Sequence, residues 1–217
     1  MQINWYGGAC FQITALPQKN SQIKIVIDPY SEGLGLRVPS LEADVLLVTH
    51  QHSDHNNIKA VSGKPFLIDA PGEYETKGVF VQGISAFHDN SQGKERGQTV
   101  IYTLEVEEMR ICHLGDLGQA ELTDEQVEKI GNVDVLLIPV GGVYTINSKE
   151  ATKIIFQLEP KITIPMHYQI PGLKTKLEEV DKFLKTMGLK SITPADKLSI
   201  KKKDIPEDEA KIVVLKP

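Results

Sequence analysis

The chain has 217 residues, of which 41% are hydrophobic, and it carries a formal net charge of -5 with a pI near 5.7. This length and apolar content suffice for one sizeable core, so the sequence predicts a single domain spanning residues 1–217. The negative charge disfavours a nucleic-acid partner, and no apolar run is long enough to cross a bilayer. Because the first residues also lack the pattern of a signal peptide, we expect a cytoplasmic protein with no membrane partner.

Short apolar or alternating runs predict a series of strands in the first half of the chain. These strands cover residues 2–6, 9–15, 22–28, 45–48, 66–68 and 79–87. The segments between them predict a turn at 17–21, a loop at 31–40, a helix-like stretch at 56–61, a turn at 71–73 and a loop at 90–97. Cys10 and Cys112 are too few for a disulfide framework, so we expect them to be reduced and buried.

The second half of the chain interleaves strands with helices. Strands are predicted at residues 99–104, 110–114, 133–140 and 162–165, with further short strands after residue 191. Helices are predicted from the cap Thr123 to Ile130, where Gln126 completes a capping box, from the cap Ser148 to Leu158, and over 173–187. This alternation indicates the α/β fold class.

A dense group of metal-binding residue types follows the apolar run 45–48. His50, His52, Asp54 and His55 lie within six positions. A tight loop at a strand end can turn His50 and His52 toward one ion and the other two side chains toward a second ion. The alternative is a solvated polar loop that is rich in histidine by accident. The spacing favours a metal site, and two ions rather than one.

Other polar side chains also follow predicted strands. Asp28 ends its strand before Pro29, and we expect its carboxylate to hydrogen-bond to the metal-binding loop, although a plain Asp-Pro turn would leave the same pattern. His88 closes the strand 79–87. The loop after it carries Lys94 and Arg96, which could bind an anion beside the site or could simply be solvated.

The histidine motif resembles the signature of the metallo-β-lactamase superfamily. Four further motifs agree with that family in order and spacing: Ile25-Val26-Ile27-Asp28-Pro29, the isolated His88, Leu114-Gly115-Asp116, and Pro165-Met166-His167-Tyr168. Residues 5–9, 71–75 and 139–142 are most similar to the branch related to L-ascorbate-6-phosphate lactonase. The resemblance covers about residues 1–170, and it departs from that branch at Gly8, where a histidine is common.

This resemblance implies a four-layer αββα sandwich of the α/β (α+β) class and a metal centre. The implied ligand sets are His50, His52 and His88 for one ion, and Asp54, His55 and His167 for a second ion, with Asp116 bridging the two. Imidazole and carboxylate donors without cysteine suit two divalent ions, with zinc as the first choice and manganese or iron as alternatives.

Further residues are expected to line the pocket or to support the ligands. Gly141 and Gly142 follow a predicted strand, and their backbone lets a ligand approach closely. His113 lies inside a predicted strand shortly before Asp116, so we expect it to support the site rather than to bind an ion.

The implied reaction is hydrolysis by a hydroxide generated at the two ions. Asp54 and Asp116 are the candidate catalytic carboxylates. Asp54, Tyr144 and Tyr168 are candidates to supply the leaving-group proton, although a half-buried tyrosine more often packs with a satisfied hydroxyl.

The leading hypothesis is a metal-dependent hydrolase that cleaves an ester, lactone or phosphoester bond of a small anionic metabolite. A phosphodiesterase or nuclease is the first alternative, but we expect neither the basic surface nor the added arm that a nuclease would have. A metal-binding sensor without turnover is the second. A diiron oxygen-reducing enzyme is disfavoured because that branch of the family has a glutamate where this chain has His52. The sequence leaves assembly into a homo-oligomer open.

Overall fold

The structure is a computed structural model that describes residues 1–18 and 21–217. The strands are β1 (Gln2–Trp5), β2 (Phe11–Gln18), β3 (Ser21–Ile27), β4 (Leu41–Glu42), β5 (Val45–Leu47), β6 (Val61–Ser62), β7 (Phe66–Ile68), β8 (Gly72–Thr76), β9 (Val79–Phe87), β10 (Gln98–Val106), β11 (Met109–His113), β12 (Val135–Pro139), β13 (Ile162–Met166), β14 (Leu198–Ser199) and β15 (Lys211–Ile212). The α-helices are α1 (Asp124–Ile130), α2 (Ser148–Leu158) and α3 (Val180–Thr186), and single 3₁₀ turns cover Glu32–Leu34, Ile58–Ala60 and Lys202–Asp204.

Two sheets form the body of the described chain. The six-stranded sheet has the order β14-β1-β2-β3-β5-β7, the seven-stranded sheet has the order β15-β13-β12-β11-β10-β9-β8, and β4 pairs with β6 separately. Side chains from both sheets share one core, which includes Phe11 and Ile25 of the first sheet and Ile111 and Leu136 of the second. The expected α/β sandwich is therefore confirmed.

Alternation along β3 divides its side chains between the two faces of the six-stranded sheet. Ile25 belongs to the core between the sheets, whereas Val26 packs with Leu46 in a second cluster on the opposite face. The helices α1, α2 and α3 contribute no residue to this second cluster. Its cover comes instead from the segment 30–43 and the β4-β6 pair.

The strands that carry the candidate site residues end at one edge of the sandwich. β3, β5 and β7 are parallel to one another, and so are β11, β12 and β13. β9 and β11 flank β10 and are both antiparallel to it, so β9 runs in the same direction as β11. The loops after these strands therefore lie at one edge within each sheet, and the two edges adjoin, because His50 and His52 approach His88. Such edges are where α/β sheets place their ligand sites.

Several predicted elements match the structure closely. The strand predicted at 79–87 is β9, with the same bounds. Helix α1 has the predicted capping box, because Thr123 Oγ1 accepts from Gln126 N–H and Gln126 Oε1 accepts from Thr123 N–H. Both signals are local. The strand follows from the alternation of apolar and polar residues, and the capping box joins two residues that are three positions apart.

The helix predicted over 173–187 is wrong in its first half, because only Val180–Thr186 is helical. The segment before it makes tertiary hydrogen bonds instead of helical ones. Leu177 N–H donates to Gln169 Oε1, and Glu178 N–H donates to the Gly141 carbonyl. Leu173 of this segment packs against the main core from a loop, so its apolar spacing does not require a helix.

Smaller corrections concern element ends. The predicted turn at 71–73 is wrong beyond Pro71, because Gly72 begins the edge strand β8, which pairs with β9. The N-cap of α2 is Asn147 and not Ser148, since Asn147 Oδ1 accepts from the N–H groups of Lys149 and Glu150. The helix-like stretch at 56–61 is a single 3₁₀ turn. The turn predicted at 17–21 lies partly outside the described residues.

Two further expectations concern the whole chain. Cys10 and Cys112 are both free and buried, as predicted. None of the helices in the described residues is both long enough and apolar enough to span a membrane.

Candidate metal centre and active site

The histidines and aspartates of the sequence motifs converge into two neighbouring clusters. The first contains His50, His52 and His88, and the second contains Asp54, His55, Asp116 and His167. In each cluster the candidate ligand atoms lie within 4.8 Å of one another. These are the two sets that the family resemblance implies, assembled from the loops after β5, β9, β11 and β13.

The carboxylate of Asp116, a member of the second cluster, also approaches the first cluster. Its Oδ2 is 3.2 Å from His55 Nε2 and 3.5 Å from His167 Nε2, both in its own cluster. It is also 3.5 Å from His88 Nε2 in the other cluster. Ligands about 2.0–2.1 Å from a tetrahedral ion are separated by about 3.3–3.5 Å, so these distances are compatible with a metal ion between the atoms.

Asp28 fixes the orientation of the motif loop. Its carboxylate accepts hydrogen bonds from Thr49 N–H at 2.8 Å, from Thr49 Oγ1 at 2.7 Å, and from His55 Nδ1 at 2.8 Å. The side chain is fully buried and its φ is +49°, a left-handed conformation that aspartate adopts more readily than most residues. Asp28 therefore hydrogen-bonds to the motif loop and to the candidate ligand His55, and it does not belong to either cluster.

The same network assigns the tautomers of two histidines. His55 donates from Nδ1 to Asp28, so in the neutral form of the ring Nε2 is the nitrogen that carries the lone pair. The single hydroxyl proton of Thr49 goes to Asp28, so His50 Nδ1, at 3.0 Å, donates to Thr49 Oγ1. His50 Nε2 then faces His52 Nδ1 at 2.9 Å. Hydrogen bonds to the far ring nitrogen are the usual support of metal-binding histidines.

Burial keeps three of the histidines neutral. It lowers the pKa of His50 to about 3, with the charge of His55 adding to the effect. Burial likewise lowers the pKa of His88 and that of His113. A neutral imidazole is the form that binds a metal ion, so His50 and His88 need lose no proton to act as ligands.

Within the second cluster, neighbouring charges favour the ionised forms of His55 and Asp116. Burial alone would lower the pKa of His55, but the carboxylates of Asp116 and Asp28 raise it well above its ordinary value. Burial alone would raise the pKa of Asp116, but His167 and His55 hold it well below its ordinary value. Asp116 is therefore ionised, and a cation at this position is favoured electrostatically.

The residues present fit divalent metal ions. Buried polar atoms normally have partners. Among the described residues, however, His55 Nε2 and Asp116 Oδ1, which belong to the second cluster, are buried without a hydrogen-bond partner. The donor set consists of imidazoles and carboxylates, which suits zinc and other first-row ions.

His113 occupies a different position from the cluster histidines. Its Nε2 donates to the Ala9 carbonyl at 3.0 Å, and its Nδ1 accepts from Gly115 N–H at 3.0 Å. It thereby connects the turn at Gly7–Ala9 with the turn that presents Asp116. The structure thus places His113 beside the site and outside both clusters.

Gly141 is the point where the loop after β12 meets a candidate ligand. A Cβ at Gly141 would lie 2.0 Å from the carbonyl oxygen of His167, so no other residue fits without a backbone shift. Gly142 has a φ of +61° and accepts from Tyr144 N–H at 2.7 Å. At Gly141 the close approach is therefore between two protein backbones, whereas the nearest atoms to Gly142 belong to the side chains of Glu178 and Asn147.

The two candidate tyrosines have different surroundings. Tyr168 is buried, its ring centroid lies 4.9 Å from that of Trp5, and its hydroxyl donates to the Leu215 carbonyl at 3.4 Å. These contacts make Tyr168 a packing residue. Tyr144 is 39% exposed, and its ring lies 4.1 Å from Cζ of Arg96.

A cavity of about 380 Å³ opens beside the first cluster. The residues that line it include His50, His52, Asp69, Arg96 and Thr99.

Two supporting residues were missed by sequence reasoning. They are Thr49, which bonds to Asp28, and Asp89, which organises the loop that carries Arg96. The adjacency of Thr49 to His50, and of Asp89 to His88, was the only signal available for them.

Comparison with known proteins agrees with this geometry. Residues 2–167 match the family described as the beta-lactamase superfamily domain. The chain belongs to this superfamily. This superfamily member is 39% identical to a Thermotoga maritima protein described as a zinc-dependent hydrolase of the metallo-β-lactamase superfamily. The two structures superpose with a TM-score of 0.79 over 99% of this chain and 97% of the other.

Relatives with the name UPF0173 metal-dependent hydrolase extend the comparison. The Thermococcus onnurineus protein is 27% identical, with 100% of this chain and 97% of the relative covered. The Thermoplasma volcanium protein is 32% identical over 77% of this chain and 83% of the relative. The superfamily member described here is accordingly a metal-dependent hydrolase, with a histidine and aspartate cluster able to bind metal.

Proposed function

We propose that this protein hydrolyses an ester, lactone or phosphoester bond of a small anionic metabolite at a centre of two divalent ions, with zinc as the first choice. His50, His52 and His88 would hold one ion, Asp54, His55 and His167 the other, and Asp116 both. When bound, the ions supply Lewis acidity, which makes water a nucleophile near neutral pH and polarises the scissile bond. The position of Asp116 Oδ2 within 3.5 Å of histidines from both clusters is the observation that carries this proposal.

The remaining steps depend on side chains of this chain. Asp28 holds His55, and through Thr49 it holds His50, so the ligand loop needs little reorganisation when substrate binds. Asp54 is the more exposed carboxylate of the second cluster, with 36% of its side chain accessible and Oδ2 3.6 Å from His55 Nε2. Asp54 is thus positioned to take a proton from water and to return one to the leaving group.

The similarity to the branch related to L-ascorbate-6-phosphate lactonase supports a lactone or ester carrying a charged group. Gly8 replaces the histidine that is common in that branch, and it has a φ of +56°, which favours glycine. This turn therefore lacks the imidazole that is common in that branch. We therefore propose the reaction class of the branch and not its particular lactone.

The test is a substrate screen with protein whose metal content has been measured. Zinc-loaded protein should hydrolyse at least one member of a panel of lactones, carboxylate esters, phosphomonoesters and phosphodiesters. Asp116→Asn should lose that activity while keeping its folding transition. Asp208→Asn is the matched control. It removes the same charge as Asp116→Asn, but at an exposed residue that is far from both clusters in sequence. Wild-type activity in Asp116→Asn would refute the proposed centre.

A further inference from the structure

Two loops meet beside the candidate metal centre through one side-chain contact. The first loop covers residues 89–97, after β9, and the second covers residues 141–146, after β12. Cζ of Arg96 lies 4.1 Å from the ring centroid of Tyr144, which is within the range of a cation–π interaction. The guanidinium is therefore held by an aromatic ring at the rim of the site.

The loop 89–97 is ordered around the carboxylate of Asp89. Asp89 Oδ1 accepts from Ser91 N–H at 2.7 Å and from Gly93 N–H at 2.9 Å. Its Oδ2 accepts from Glu95 N–H at 3.1 Å and from Arg96 N–H at 2.8 Å. Asp89 directly follows a candidate ligand, His88, so the backbone of Arg96 is fixed relative to the first cluster.

The loop 141–146 is fixed to the second cluster. It begins at Gly141, which packs against the carbonyl of His167, and it ends where Ile146 N–H donates to the carbonyl of Leu117, the neighbour of Asp116. Between these points Val143 has a φ of +60°, which is strained for a β-branched residue. Strain of this kind persists where the surrounding structure enforces it, and it is concentrated at functional sites.

Arg96 has no acidic partner among the described residues. Arg110, in contrast, pairs with Glu105. Arg96 lines the cavity of about 380 Å³ together with His50 and His52, whereas Lys94 of the same loop does not line it. A guanidinium held by stacking keeps its N–H donors available, and its planar fork matches the oxygens of a carboxylate or phosphate.

We propose that Arg96 is the specificity-determining residue that binds the anionic group of the substrate, a carboxylate or a phosphate, next to the ion held by His50 and His52. Tyr144 is the positioning residue that keeps the guanidinium over the cavity. This proposal rests on the proposed hydrolase function and deepens it. It also separates the two cations that the sequence left equivalent, because Lys94 has no part in it.

The test measures binding and catalysis with zinc-loaded protein. Calorimetry with phenylphosphonate, an anion that cannot be hydrolysed, should give binding at least about 10-fold weaker in Arg96→Gln than in wild type, because a charge-assisted pair is lost. Lys94→Gln removes the same charge from the same loop and should bind within about 2-fold of wild type. Tyr144→Phe should keep the affinity, whereas Tyr144→Ala should lower it.

Catalysis supplies the second measurement. The value of kcat/KM for 4-nitrophenyl hemisuccinate, which carries a carboxylate, should fall about 10-fold in Arg96→Gln, mainly through KM. The value for the neutral 4-nitrophenyl acetate should not change. Zinc content, measured on every variant, should equal that of wild type.

The outcomes distinguish this proposal from the proposed function. Failure of phenylphosphonate to bind wild type, or equal binding by wild type and Arg96→Gln, would overturn the role of Arg96 even if esters are hydrolysed. Arg96-dependent binding without hydrolysis of any substrate would support the anion site and would count against the hydrolytic function. Equal weakening in Lys94→Gln and Arg96→Gln would show a general charge effect and would also overturn the proposal.

Discussion

Oδ2 of Asp28 and Nδ1 of His55 are joined by a hydrogen bond of 2.8 Å between two buried side chains that are 27 positions apart in sequence. This bond places a ring proton of His55 on Nδ1, the nitrogen that faces away from Asp116. The same oxygen accepts the hydroxyl proton of Thr49, so one carboxylate controls the orientation of two candidate ligands.

We therefore expect Asp28→Asn to weaken metal binding by about 10–100-fold, the usual cost of removing such a partner. Asparagine tolerates the left-handed backbone at this position, so the fold should be retained. Competition with a chromogenic chelator measures the affinity, and circular dichroism checks the fold. Unchanged affinity in Asp28→Asn would mean that the hydrogen bond does not support a ligand.

The two clusters predict two divalent ions per chain. Elemental analysis after reconstitution with zinc or manganese should approach two equivalents, and a chelator should remove activity that either ion restores. Seven candidate ligands exceed what one tetrahedral ion can use. A stoichiometry that stays at one in excess metal would contradict the dinuclear centre.

Because His88 and His113 have different surroundings, we expect substitution of His88 to reduce metal binding and substitution of His113 to reduce stability. His88→Ala should lose one equivalent of metal, because its ring is part of the first cluster. His113→Ala should keep both ions at saturating zinc, but its free energy of unfolding should fall by about 1–3 kcal/mol, because Gly115 N–H and the Ala9 carbonyl lose their partners. Metal analysis and thermal unfolding measure these effects. The reverse pattern would exchange the roles of the two histidines.

Contact between Gly141 and His167 makes this glycine sensitive to a single methyl group. Gly141→Ala should destabilise the protein by roughly 1–3 kcal/mol or more and should lower activity, because relief of the clash moves a candidate ligand. Gly33→Ala is the control, since a Cβ there meets only Ser31 Oγ at 3.4 Å. Chemical denaturation and the substrate assay provide the measurements. Equal stability of the two variants would show that the loop can adjust.

The sequence by itself determined most of the longer strands, the first helix and the composition of the site. The strand Val79–Phe87 followed from alternation, and the cap of α1 followed from Thr123 and Gln126. These signals are local, because each depends only on residues that are close together in the sequence. The motif from His50 to His55 was equally local, so the metal-binding residue types could be identified without coordinates.

Tertiary structure alone decided which residues support and border the site. The bonds that join Asp28 to Thr49, and the stacking of Arg96 on Tyr144, connect segments far apart in sequence. The segment 173–179, which has a helical pattern, is held in a loop by bonds to Gln169 and Gly141. No local pattern encodes such contacts, because they depend on strand order and direction, which bring the loop ends to one edge of the sandwich.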